Sequence, residues 1–70
     1  MTWTIKSVKV GKHSIDIYQE KDCSAYIVGD YEDVGCELLA TRSELYYPTL
    51  EKAKKHMSYL VCKYRKEMNA

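Results

Sequence analysis

Five side chains in this sequence are of the types that ligate zinc: His13, Cys23, Cys36, His56 and Cys62. Ligands in fingers and ribbons come in close pairs, with cysteines about two to four residues apart. Here the nearest two, His56 and Cys62, are six apart, so the spacing predicts no metal centre. A cysteine or serine nucleophile needs a base in hydrogen-bond reach and a third group to orient that base. Neither histidine sits in such a pattern: His13 falls at an expected hairpin turn and His56 on the polar side of an expected helix. Asp30, Glu32 and Asp33 resemble the start of a calcium loop. An EF-hand, however, needs a bidentate Glu at its twelfth position, and residue 41 is Thr41. A two-layer domain of this size also leaves little room for a substrate pocket of about 300 Å³ or more. The sequence therefore predicts a protein that is not an enzyme and has no metal or cofactor.

What remains is binding, and the charges are arranged for it. Residues 1–48 carry five basic residues against eight acids, a net −3, while residues 49–70 carry six against two, a net +4. An uneven distribution of this kind steers partners even when the total is only +1. Two surfaces follow. One is acidic and tyrosine-rich: Asp30, Tyr31, Glu32 and Asp33 in an expected exposed loop bounded by Gly29 and Gly35, with Tyr46 nearby. It suits a protein partner with a basic surface, since tyrosine offers a large apolar face with a polar tip. The other is the helix face Lys52, Lys55, His56, Lys63 and Lys66 with Tyr59 among them. It is the candidate nucleic-acid surface, through counterion release at phosphates and stacking on an unpaired base. The two surfaces are complementary, so a weak, salt-sensitive two-fold dimer is a third expectation, pairing each helix with the other copy's loop.

The elements that must position these groups are few. Leu50, Ala53, Met57, Leu60, Val61, Tyr64 and Met68 recur at helical spacing, which predicts a helix over 49–68. Thr49 is a good N-cap, Pro48 stops the strand before it, and Glu51, Arg65 and Lys66 suit the helix dipole. Before Pro48 the pattern is strands and turns. Trp3 and Ile5 alternate in one frame and Val8 and Val10 in the other, which predicts a bulge near Lys6-Ser7 that brings Ile5 onto the core face. Gly11-Lys12 fits a type II′ turn setting Val10 against His13 and Val8 against Ile15. A three-residue loop Lys21–Cys23 pairs Ile17 with Ile27 in a strand ending at Val28. Residues 36–47 fit a short hairpin turning at Arg42-Ser43, with a helical turn through Glu37–Ala40 as the competing reading.

The expected fold is α+β, a single domain with a three- to five-stranded antiparallel sheet covered on one face by the C-terminal helix. Its expected core is Ile5, Val8, Ile15, Ile17, Ala25, Ile27, Leu38, Leu45, Ala53, Met57, Leu60, Val61 and Tyr64. No run approaches the roughly 20 apolar residues needed to cross a bilayer, and no signal-peptide pattern is present. With an odd number of cysteines and no Cys-x-x-Cys, the cytosol is the expected compartment.

From Ser14 onward the chain resembles the N-terminal domain of HicB-type antitoxins. The residues that carry the resemblance are Ile15-Asp16-Ile17-Tyr18, a polar turn, Ala25-Tyr26-Ile27-Val28, Asp33-Val34-Gly35-Cys36, and Thr49-Leu50-Glu51-Lys52-Ala53 opening a helix. The family's Pro between the Asp and the Gly is absent, and an extra strand precedes the match. The resemblance implies a partner-binding module facing a basic RNA-binding toxin: a small regulator or inhibitor of bacterial mobile-element origin.

Overall fold

A computed structural model describes residues 2–36 and 38–69, apart from the side chains of Thr2 and Leu38. Thr49 sets where the helix begins. Its backbone is extended (φ −132°, ψ 151°) and its hydroxyl accepts from the Lys52 amide at 3.3 Å, satisfying one of the donors a helix start leaves open. Helix α1 (Leu50–Met68) runs from there to Asn69, whose amide donates to the Arg65 carbonyl. Ala53, Met57, Leu60 and Tyr64 are buried along one stripe, as their spacing predicts, and Leu50 and Val61 pack at its margin.

Four strands precede it: β1 (Thr2–Val10), β2 (His13–Glu20), β3 (Tyr26–Gly35) and β4 (Leu38–Tyr47). They form one antiparallel meander in the order β1-β2-β3-β4, with α1 packed mainly over β2 and β3. The first turn is as expected. Val10 opposes His13 and Val8 opposes Ile15, and Gly11 takes the positive φ (59°) that a II′ turn needs at its first central position. Under the helix lie Val10, Ile15, Ile17 and Val28. Full burial of an Ile or Val is worth roughly 1.5–3 kcal/mol each.

The register between β2 and β3 departs from expectation by one residue. Ile17 opposes Val28, and Tyr18 opposes Ile27, because the connection takes up Lys21–Ala25 rather than three residues. Strand side chains alternate between faces, so this slip turns Val28 and Asp30 toward the helix and Ile27 away from it. The expected acidic loop 29–35 is strand throughout, since β4 pairs with it from Tyr26 to Gly35. The expected turn at Arg42-Ser43 is instead an irregularity within one continuous strand, with Ser43 opposite Asp30 and Thr41 opposite Tyr31. The strand reading of 38–47 therefore holds over the helical one.

Two expected core residues are at the surface. The β1 irregularity falls between Thr4 and Lys6, so Ile5 is the extra residue and is exposed. Leu45 faces the helix side, opposite Val28, but lies on the outer strand β4 and is exposed. Ala25, Val8 and Val61 are half-buried, and the Leu38 side chain lies outside the described residues. No helix among the described residues is long and apolar enough to cross a membrane.

Candidate functional site

The sheet has one covered and one open face, and the expected acidic surface divides between them. Asp30 is on the covered face and buried, where it accepts a hydrogen bond from the Tyr64 hydroxyl. Glu32, on the same side, is held by Lys12 Nζ at 3.1 Å and Arg42 Nη1 at 3.6 Å. Its carboxyl lies below the usual glutamate range, chiefly because Lys12 hydrogen-bonds to the ionised form. These two acids are not presented together with the rest. Tyr31 and Asp33 share the open face with Tyr46, so three of the five predicted partner-binding residues lie on one surface.

Alternation and register place Thr4, Ser7 and Lys9 of β1 on that open face, with Ser14, Asp16, Tyr18 and Glu20 of β2. Ile27, Tyr31 and Asp33 of β3 and Leu39, Thr41, Glu44 and Tyr46 of β4 complete it. Four carboxylates against one lysine make it acidic. Its centre is ordered by a relay: the Tyr31 hydroxyl donates to Tyr18 Oη at 3.5 Å, and the Tyr18 hydroxyl donates to Glu44 Oε2 at 2.8 Å. Tyr18 is held above the usual tyrosine range by burial first and by these two bonds next. The Tyr31 ring lies over Gly29, where any Cβ would collide with it. That close approach is what glycine permits in a strand interior. Ile27, between cross-strand neighbours Tyr18 and Tyr46, is fully buried without being part of the core under the helix. At the edge, Ser7 Oγ donates to Asp16 Oδ1 at 2.5 Å.

Sequence reasoning missed a second cluster, on the covered face. The His13 ring stacks on Tyr64 at a centroid distance of 3.7 Å with planes 4° apart, and Tyr64 reaches on to Asp30. Among the described residues, His13 Nδ1 and Asp30 Oδ1 are buried without hydrogen-bond partners. Burial, and then the Asp30 bond, push the Tyr64 hydroxyl up to about 12. Tyr64 therefore stays neutral at physiological pH and ties helix to sheet. The signal that could have found the cluster is the pair of strand positions 13 and 30 in the same frame as Ile15 and Ile17. It becomes visible only once the β2–β3 register is known.

The end of α1 overhangs the β1–β2 turn and leaves an open cleft of about 470 Å³ lined by Lys12, His13, Tyr64, Glu67 and Met68. A second, of about 400 Å³, lies on the outer side of the helix beside Tyr59, Cys62, Lys63, Lys66 and Glu67. Both are open to solvent: the first lies where the helix end passes the β1–β2 turn, and the second is formed by side chains of the helix alone. The zinc-type residues are not brought together. Cys23 is in the β2–β3 connection, Cys36 in the β3–β4 turn and Cys62 on the outer helix face, and all three are free. No group of three His, Cys, Asp or Glu residues among the described ones is placed to hold a metal ion.

The predicted basic face is a single stripe. Lys52, Lys55, Tyr59, Lys63 and Lys66 are all exposed on the side of α1 away from the sheet. His56 stands beside them, its ring 5.6 Å from Tyr47 and 6.2 Å from Tyr59. The basic stripe and the acidic sheet face are on opposite sides of the molecule. No single two-fold contact can therefore bring both complementary pairs together, as the expected dimer would require. No family model matches the chain, and searches of curated proteins and of solved structures returned no match.

Proposed function

We propose that this protein is a non-enzymatic protein-interaction module that presents the open face of its sheet to a partner with a basic surface. The observation that carries the reading is the construction of that face. A fully buried isoleucine lies between its cross-strand neighbours Tyr18 and Tyr46, and Tyr18 is held by donating to Glu44 while it accepts from Tyr31. Tyrosines held in place before binding lose little side-chain entropy on contact, which is the condition under which aromatic area becomes affinity. Four carboxylates around them favour encounter with a cationic surface. The resemblance to HicB-type antitoxins agrees with a regulator or inhibitor that works by occupying such a surface.

The test is affinity capture from the native host with the wild-type chain, the Tyr46→Ala variant and the Glu20→Lys variant. Both residues are exposed, so the variants keep the fold. A captured protein whose retention falls about ten-fold with Tyr46→Ala and whose association slows with Glu20→Lys is the expected result. Capture of no protein, or capture indifferent to both substitutions, contradicts it.

A further inference from the structure

The outer side of α1 displays a line of charge and aromatic rings separate from the open sheet face. Lys52, Lys55, Lys63 and Lys66 recur along one side of the helix over about 21 Å at 1.5 Å per residue. None has an ion-pair partner among the described residues, where the only pairs are Lys12 and Arg42 with Glu32. Lysines alone would describe any solvated helix. What sets this side apart is a run of rings that shares it: Tyr47 at the end of β4, then His56, then Tyr59, at 5.6 and 6.2 Å between successive centroids. Tyr47 and His56 are half-buried and fix the base of the run, while Tyr59 is 62% exposed at its tip. Tyr59 also lines the outer cleft together with Cys62, Lys63 and Lys66, with Glu67 as its one acid.

We infer that this side of α1 binds single-stranded nucleic acid, with the four lysines on the phosphates and an unpaired base stacked on Tyr59. A single strand offers both things the surface displays, a line of charge and free base faces, whereas duplex keeps its faces inside the stack. The acidic half of the molecule does not oppose this. Its open-face carboxylates are on the far side of a body whose least extent is 15 Å, beyond the screening length of about 8 Å at physiological salt. The inference is independent of the sheet-face reading, because the two surfaces share no residue.

Fluorescence anisotropy of labelled oligo-dT and oligo-U, with duplex DNA and polyglutamate as comparison probes, tests it on the full chain. Both single strands should bind at low salt with a log–log salt slope of about −2 to −3, near −0.7 for each phosphate neutralised. Tyr59→Ala should weaken them about ten-fold. Lys55→Glu with Lys63→Glu should abolish binding, and Tyr46→Ala should leave it unchanged. Circular dichroism confirms that each variant is folded. Three results overturn the inference: no binding at tens of micromolar protein, polyglutamate or duplex binding as tightly as single strands, or binding that Tyr59→Ala does not alter.

Discussion

On the covered face of the sheet, Ile15, Ile17 and Val28 meet Ala53, Met57 and Leu60 of the helix, and the polar groups present, His13 and Asp30, are drawn in by Tyr64. One residue along each strand, on the open face, stand Asp16, Tyr18 and Ile27 with Tyr31, Glu44 and Tyr46. Both faces bury a fully enclosed isoleucine and both contain a tyrosine–carboxylate hydrogen bond. They differ in what lies above. The first is closed by a helix of this chain, whereas on the second no further element among the described residues lies over Ile27, which sits between its cross-strand neighbours Tyr18 and Tyr46. In the reading proposed above, side chains ordered before contact have met the entropic cost of rigidity in advance, which favours binding.

The contrast is sharpest in stability. Leu60→Ala should cost about 2–5 kcal/mol in urea unfolding, because it opens a cavity under the helix. Leu45→Ala, on the exposed β4 edge, should stay within about 0.5 kcal/mol. Ile27→Ala decides whether the open face is packed: a loss of about 2 kcal/mol or more places it with the core, and a loss near that of Leu45→Ala would mean the tyrosines do not enclose it.

Next in size is the polar tie between layers. Tyr64→Phe removes Asp30's donor and leaves a buried carboxylate unpartnered, an expected loss of about 1–3 kcal/mol at neutral pH. The same bond predicts alkaline behaviour. The Tyr64 pKa is raised in the folded state, to about 12 from the ordinary 10, so the unfolded chain loses that proton first. Its contribution is therefore complete below pH 10 and is lost as pH rises toward 12. Absorbance titration of the seven tyrosines should show Tyr18 and Tyr64 ionising late, and Tyr64→Phe should remove one of these late steps.

A substitution that touches only the open face comes third. Gly29→Ala pushes the Tyr31 ring aside and should cost about 1 kcal/mol by overpacking while weakening partner capture more than it weakens the fold. Smallest is Lys12→Ala. It removes an exposed ion pair to Glu32 and should leave the urea-unfolding midpoint at neutral pH nearly unchanged. With Lys12 replaced, Glu32 should titrate nearer the usual glutamate range, so the difference from wild type should fade as acid protonates the carboxylate.

Helix α1 is legible in the sequence because its signals agree: Pro48, the Thr49 cap, seven apolar residues at one period and basic residues in the last turn. The first hairpin is legible because Gly11 admits one turn type, and that turn pairs apolar with apolar. The β2–β3 register is not. Ile27 and Val28 are adjacent, both apolar and both fully buried, so pattern alone cannot say which one faces the helix. From that ambiguity follows the missed His13–Tyr64–Asp30 cluster, whereas the loop expected in place of strand at 29–35 has another source: two glycines and three acids mark a turn in sequence but here lie in a strand paired with β4. The β1 bulge is legible from the change of frame, but its place is not: it falls at Ile5 rather than Lys6-Ser7 and so leaves Ile5 outside the core. At Arg42 a bulge stands where a turn is expected, because a bulge preserves composition while changing which side a residue faces. Tyr31, Asp33 and Tyr46 still fall on one sheet face, because the alternation of residues along a strand survives such errors, whereas the Tyr18–Glu44 contact spans strands far apart in sequence.

Hydroxyl-radical footprinting of the complex with a captured protein partner compares the two sides of the molecule in one experiment. Tyr46 on the open sheet face and Tyr59 on the helix are nearly equally exposed in the free protein, at 57% and 62%, so each serves as the other's control. Strong protection of Tyr46 from oxidation with Tyr59 unchanged is the result predicted here. Protection of Tyr59 with Tyr46 still fully reactive would contradict the assignment of the open sheet face as the partner-binding surface.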